Sequence, residues 1–105
     1  MQEIKFDDKC KITRDTGKVD QYDEPITEVI YDGACLYEEG GASASRLITL
    51  NPLLFLPTNV LVETNDTVEI VTSFGRKRKS LVRIARDIRT RELSITRLEL
   101  KQATE

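Results

Sequence analysis

The side chains able to do chemistry are few. The chain has no His, which removes the commonest general base and the commonest neutral metal ligand. A Ser-His or Cys-His nucleophile is thereby excluded. Two thiols, Cys10 and Cys35, are too few to close a zinc site without imidazole partners. They fall in different predicted strands and read as reduced, partly buried thiols. Whether they bond is left open, because a disulfide needs Cα atoms within ~7 Å. Three acidic pairs are present, Asp7-Asp8, Asp23-Glu24 and Glu38-Glu39. Neighbours on a strand point to opposite faces, so none of these is a natural catalytic dyad. The first two flank predicted turns, where carboxylates are routine. Glu38-Glu39-Gly40-Gly41 lacks the Lys-Ser/Thr ending of a phosphate loop and carries the wrong charge for one. Tyr22, Tyr31 and Tyr37 fit half-buried strand or interface positions better than catalytic ones. No catalytic residue, metal or cofactor is expected, and no enzymatic activity.

Charge offers more. Residues 1–45 hold eleven acidic and five basic side chains, whereas residues 46–105 hold eleven basic and seven acidic ones. The densest run is Arg76-Lys77-Arg78-Lys79, continued by Arg83, Arg86, Arg89 and Arg91, with Asp87 as the single acid in that stretch. Such a run can bind an anionic partner such as nucleic acid. It can equally be a solvated hairpin tip whose cations discourage edge-to-edge pairing. A third reading is self-complementarity, in which an acidic half and a basic half dock head to tail and close a ring. Phe74 is the one aromatic beside the cations, so the base-stacking signature of single-strand binders is absent.

These residues must be carried by a small scaffold. A chain of 105 residues makes one domain with a modest core. The opening Met1-Gln2-Glu3-Ile4-Lys5 lacks the apolar stretch of a secretory leader. The longest apolar run, Leu53-Leu54-Phe55-Leu56, falls far short of the ~20 residues that span a bilayer, so no membrane partner is expected. Lys9 to Arg14 reads as a strand and Asp15-Thr16-Gly17-Lys18 as a turn. Thr27 to Leu36 is rich in β-branched and aromatic residues and reads as a strand, with a bulge or bend at Asp32-Gly33. Glu38 to Arg46 is small, polar and aperiodic, and is predicted to be a long mobile loop. Arg46 to Leu50 resumes a strand pattern. Pro52 and Pro57 bracket Leu53 to Leu56, which predicts an edge or an irregular crossing rather than a central strand.

Asn65-Asp66 marks a tight turn into Thr67 to Ser73, where Val68, Ile70 and Thr72 share one face. Phe74-Gly75-Arg76-Lys77 reads as a hairpin loop. Lys79 to Arg89 returns with Val82, Ile84 and Ile88 on the apolar side. Arg86 shares that side, as a bulge marker or a rim charge. A helix over Ser80 to Arg91 is the competing reading, and the β-branched content favours the strand. After a turn at Thr90-Arg91-Glu92, Leu93 to Gln102 changes phase. That predicts a bulge near Thr96-Arg97 or a strand buried on both faces. The chain is therefore expected to be all-β: one small antiparallel β-barrel or sandwich of five to seven strands with one long flexible loop, residues 1–8 forming an arm or a disordered end.

The run Leu56-Pro57-Thr58-Asn59-Val60-Leu61-Val62-Glu63-Thr64-Asn65-Asp66-Thr67-Val68-Glu69-Ile70 resembles a stretch of the small head-closure (stopper) or head–tail connector proteins of tailed bacteriophages. Gly75, the hairpin into Val82-Arg83-Ile84, and Asp32-Gly33-Ala34-Cys35-Leu36 before a small-residue loop follow the same order of elements. Asn65-Asp66 stands where that family usually has Gly-Asp. The resemblance implies a structural virion protein, made in the host cytoplasm and placed at the head–tail interface. It would form a closed ring of about six or twelve subunits, with portal or adaptor proteins on one side and tail proteins on the other. DNA would pass through without sequence-specific binding. Glu38, Glu39, Gly40, Gly41, Ser43 and Ser45 would form a channel loop whose acids repel phosphates, or else an ordinary hairpin loop. Arg76, Lys77, Arg78, Lys79 and Arg83 would make subunit or phosphate contacts, and Leu53, Leu54, Phe55 and Leu56 a docking patch. The alternative is a nucleic-acid-binding barrel of the OB or SH3-like kind that uses the basic hairpin.

Overall fold

Period-two alternation builds the inner wall of the molecule. A computed structural model describes residues 5–38 and 51–101. In β1 (Asp8–Val19) Cys10 and Ile12 point inward while Lys9 and Lys11 are exposed. In β4 (Thr67–Val71) Val68 and Ile70 point inward and Glu69 and Val71 outward. The remaining strands are β2 (Pro25–Glu38), β3 (Leu53–Leu56), β5 (Lys77–Arg89) and β6 (Ser94–Leu100). Every described pairing is antiparallel, and the order β1-β2-β3-β6-β5-β4 closes on itself as a barrel. Closure gives every strand a partner on both sides, β2 meeting β3 over Leu36–Glu38, and such closure limits edge-to-edge aggregation in small all-β domains. Ile12, Leu54, Leu56, Val68, Ile70, Val82, Leu98 and Leu100 fill the interior with Cys10 and Cys35, each aliphatic side chain contributing about 1.5–3 kcal/mol of burial.

Several local expectations are corrected by this pairing. Asp15-Thr16-Gly17-Lys18 is not the turn. β1 continues to Val19 through an irregularity between Asp15 and Val19, and Gly17 takes the positive φ of 80°. The chain reverses at Asp20–Glu24 instead, where the Asp20 carboxylate accepts the N–H groups of Tyr22 (2.7 Å) and Glu24 (3.0 Å). The β2 bulge falls at Ile30, because Ile12 pairs with Tyr31 and Thr13 with Val29. Register runs unbroken through Asp32-Gly33. Gly33 serves another purpose: a Cβ there would lie 3.1 Å from the Tyr31 hydroxyl, which packs over it and donates to the Ala34 carbonyl (2.6 Å).

Leu53 to Leu56 is a central strand, paired with β2 on one side and β6 on the other. Pro52 and Pro57 stand just outside the paired residues, so their missing N–H groups cost the ladder nothing. The β5 bulge falls at Arg83, between the Val82–Leu100 and Ile84–Glu99 pairs. It reverses the expected facing of the strand's second half. Ala85 and Asp87 oppose the buried Leu98 and Thr96, while Ile84, Arg86 and Ile88 face outward. No bulge interrupts β6, where Ile95 and Thr96 are both buried on opposite faces. The Asn65-Asp66 turn is present as expected, with Asn65 at φ 74° and the Asp66 N–H donating to the Glu63 carbonyl. Asp8 is already part of β1. The expected strand Arg46 to Leu50, residue Gln102 and the first four residues lie outside the described residues.

Candidate functional site

The first part of the site is an arm. β1 pairs with β4 only over Lys9 to Thr13, but it pairs with β2 out to Val19–Pro25. Beyond Thr13 the two strands therefore leave the barrel as a two-stranded ribbon, and the molecule reaches 51 Å along its longest axis against 36 Å and 25 Å along the others. A bare ribbon is marginal in water, so local bonds matter. Thr16 Oγ1 donates to the Ile26 carbonyl (2.8 Å), and Asp15 accepts from the Gly17 N–H (2.8 Å). From Asp15 to Glu28 five carboxylates face one ammonium, Lys18. Val19, Tyr22, Ile26 and Val29 are exposed, Tyr22 by 76 % at the tip. It is not the half-buried strand tyrosine expected; Tyr31 and Tyr37 are.

The base of the arm is clamped by Arg14. Its Nε and Nη2 each lie 2.9 Å from a different oxygen of Asp66, in the fork geometry that suits a carboxylate. Nη2 also donates to the Leu61 carbonyl (3.2 Å), and Nη1 sits 2.8 Å from Glu63. Asp66 Oδ2 accepts from the Glu63 N–H as well. Burial pushes the Asp66 carboxyl upward, but the Arg14 fork, the Glu63 N–H and the Arg14 charge outweigh it and hold the carboxyl below its ordinary value. The bond to Asp66 raises Arg14 in turn. At the opposite end of β1, Asp8 ties β2 to the β4–β5 hairpin by accepting from the Tyr37 N–H (2.9 Å) and the Ser73 N–H (2.7 Å).

The second part is a basic wall. Gly75, at φ 81°, closes the β4–β5 hairpin with Thr72 N–H to Arg76 carbonyl and Gly75 N–H to Thr72 carbonyl bonds, both 2.8 Å. Phe74 stands 97 % exposed at its tip. Lys77 and Lys79 face outward opposite Val71 and Glu69. Arg78 lies on the other face, opposite Ile70, and both Arg76 and Arg78 have contacts of their own. Arg83, at the bulge, reaches Glu99 at 4.0 Å. The five cations expected to act together are thus spread over a turn, two faces of a strand and a bulge. Further along, Arg86 stands directly opposite Arg97 on the outer face of β5–β6, in a cleft shared with Ile84 and Glu99.

Other expected sites fare differently. Leu54 and Leu56 are fully buried and cannot form a docking patch; Leu53 and Phe55 are half-buried on the outer face. Alternation explains this, because a strand paired on both sides must turn every second residue into the barrel. Of the channel-loop residues, Glu38 is the last residue of β2, paired with Leu53. Glu39, Gly40, Gly41, Ser43 and Ser45 lie outside the described residues. Cys10 and Cys35 are buried free thiols on the inner wall of β1 and β2. A hydrogen bond with Cys10 and burial push the Cys35 thiol far above its ordinary value. Among the described residues no group of three or more Cys, Asp or Glu could hold a metal ion.

Sequence reasoning missed Arg14, Asp66 and Arg97. Arg14 was signalled by parity: it continues the inward series Asp8, Cys10, Ile12, and a cation on an inner wall needs a carboxylate. The arrangement can bind anions on one wall and cations on the arm. Comparison of the chain with protein families, with curated proteins and with solved structures found no match.

Proposed function

We propose that the chain is a structural assembly subunit, a small barrel that joins to copies of itself and to neighbouring proteins as a phage head–tail connector does. The observation that carries this is the placement of charge around the barrel. In the order β1-β2-β3-β6-β5-β4 the pair β1–β2 lies diametrically across from β6–β5. The acidic arm therefore leaves the barrel across from the arginine-bearing wall, and neither β1 nor β2 packs against β5 or β6. A second copy can bring its arm to that wall. Such a heterologous contact repeats, and closes into a ring when the rotation per subunit divides a full turn. The connector role follows the resemblance of residues 27–88. It adds portal or adaptor proteins above the ring, tail proteins below, a place in the virion, and DNA passing without sequence readout.

Sedimentation velocity of the full chain at low and high ionic strength tests the assembly. The expected result is a discrete oligomer at low salt that dissociates as screening rises. A monomer at every concentration and salt refutes it. The alternative, a nucleic-acid-binding barrel, is favoured by Phe74, an exposed aromatic at the tip of the hairpin whose returning strand carries Lys77 and Lys79. It predicts duplex or single-strand binding that weakens steeply with salt and is reduced by Phe74→Ala.

A further inference from the structure

We infer that the tip of the β1–β2 arm, Asp23 and Glu24 beside Tyr22, docks on the Arg86–Arg97 pair of a second copy of this chain. The inference rests on the assembly function proposed above and names the contact that makes it.

The wall calls for an anion. Arg86 and Arg97 are register partners on adjacent antiparallel strands, and like charges directly opposite each other destabilise a sheet. Among the described residues neither guanidinium makes a hydrogen bond or an ion pair within its own subunit. Glu99 shares their cleft and is directed to the Asn51 side-chain amide (3.3 Å) and Arg83 (4.0 Å), so one carboxylate there stands against two guanidiniums. Asp87 faces inward, where Thr96 Oγ1 lies 3.2 Å from it, and its other oxygen meets Arg89 at 3.4 Å. Two adjacent guanidiniums suit two carboxylates, each able to take a fork of N–H donors.

The arm supplies them. Asp20 is occupied in holding the turn, since its Oδ1 accepts two N–H groups of its own tip. Asp23, at φ 62°, and Glu24 have no side-chain bond among the described residues, and Tyr22 stands exposed between Asp20 and this pair. On the wall, Phe55 flanks Arg97 and Ile84 lies beside Arg86. An arm laid there buries the Tyr22 ring against apolar neighbours and stacks it on a guanidinium, the anchor type that carries most binding energy at protein interfaces. The arm's strands join the barrel across from β5 and β6 and do not pack against them within the subunit, so a second copy supplies the contact.

The experiment uses two full-length charge-reversed chains, Arg86→Glu with Arg97→Glu, and Asp23→Lys with Glu24→Lys. Sedimentation at low salt reads association of each alone, of the two mixed, and of the wild type. Each reversed chain alone should associate on the order of a hundredfold more weakly than the wild type. The mixture should recover, because each wall then meets an arm of opposite sign, and an alternating ring can form. The single variant Arg86→Glu controls for folding: it turns a like-charge pair into an opposite-charge one, so its urea midpoint should rise while its association falls. Reversed chains that still assemble, or a mixture that does not recover, overturn the contact and leave the assembly function standing. A wild type that stays monomeric overturns both. A wild type that binds duplex DNA through Arg86 and Arg97 while remaining monomeric overturns the contact in favour of a phosphate ligand.

Discussion

Replacing Asp66 by Asn keeps the shape of the side chain and removes the charge on which the arm's base depends. In the native protein the Asp66 side chain is 3 % exposed and that of Arg14 26 %. The carboxylate takes three short contacts, two from the Arg14 fork and one from the Glu63 N–H, all at 2.9 Å. An amide can accept at one oxygen, and its NH₂ would face guanidinium donors. At least one charge-assisted bond is lost and one donor pair is set against another. Bonds to charged groups contribute about 1.5–3 kcal/mol each, and breaking a buried pair costs about 3–5 kcal/mol. Arg14 keeps Glu63 at 2.8 Å, on a side chain that is 60 % exposed, which offsets a small part. The expected loss is about 2–4 kcal/mol, read as a lower urea midpoint at unchanged slope. For a domain of this size that is on the order of 10–20 °C in Tm. Arg14→Ala should cost a similar amount. Combining Asp66→Asn with Arg14→Met should cost less than the sum by more than about 1 kcal/mol, since the pair is then removed together. Two single variants each within about 0.5 kcal/mol of wild type would refute the clamp.

The same pair sets a pH dependence. Asp66 is held below its ordinary carboxylate value in the folded state. Its contribution is therefore fully present above the unfolded value of about 3.9 and is lost as pH falls through the lower folded value. The gap between wild type and Asp66→Asn should be flat near neutral pH and close under acid. A gap that widened on acidification would mean the sign is wrong.

Three further outcomes follow from packing and exposure. Leu54→Ala should cost about 2–5 kcal/mol, and Leu53→Ala well under half of that, because Leu54 is fully buried and Leu53 is not; equal losses in urea titrations would contradict the facing of β3. Arg86→Glu should stabilise the dilute monomer by about 0.2–1 kcal/mol, and a destabilisation would show that the Arg86–Arg97 repulsion is already relieved within the subunit. Cys10 and Cys35 are both buried, so a thiol reagent should leave the native protein nearly untouched and label both residues in urea; rapid native labelling would place them outside the core.

What the amino-acid order reveals depends on whether a residue's facing is decided locally. In β4 it is: Val68 and Ile70 alternate with Thr67, Glu69 and Val71, and no bulge intervenes. The Asn65-Asp66 turn and the Gly75 hairpin are also legible, since positive φ selects Asn and Gly. In β5 the decision is made by the partner strand. The bulge at Arg83 sends Ile84 and Ile88 out and draws Asp87 in toward Thr96. Apolar content along β5 points the other way, because it cannot register an inward carboxylate matched by a hydroxyl. Thr96 is likewise buried for a tertiary reason. Its Oγ1 accepts from the Val60 N–H and lies 3.1 Å from the Thr58 carbonyl, so the crossing segment after β3 is tied to the inner face of β6. The Asn59 side chain also donates to the Ile95 carbonyl, and with Ile95 and Thr96 both buried in unbroken register β6 is a strand buried on both sides rather than a bulged one. The site is harder still. Its basic half stands in the sequence as a run, but Arg86 and Arg97, the pair in the proposed contact, are joined only by register.

The clamp and the proposed contact are coupled through the arm's stiffness. A two-stranded ribbon held at one end can swing, and every orientation it gives up on docking weakens binding. Arg14 restrains that swing at the point where the ribbon leaves β4, by linking the last barrel residues of β1 to Asp66, Glu63 and Leu61. Loosening the clamp should therefore weaken assembly even though Arg14 and Asp66 lie at the arm's base and not at its tip. Arg14→Lys is the variant to use, because it keeps the positive charge and loses the planar fork. Its urea midpoint should fall less than that of Asp66→Asn, leaving the barrel folded. Its association constant should drop by about tenfold, corresponding to about 1.4 kcal/mol. Amide hydrogen exchange in residues 15–28 should rise in the dilute variant, while exchange in β3 and β6 stays as in the wild type. If exchange in the arm rises but association is unchanged, stiffness is irrelevant to docking. If neither changes, Arg14 does not hold the arm.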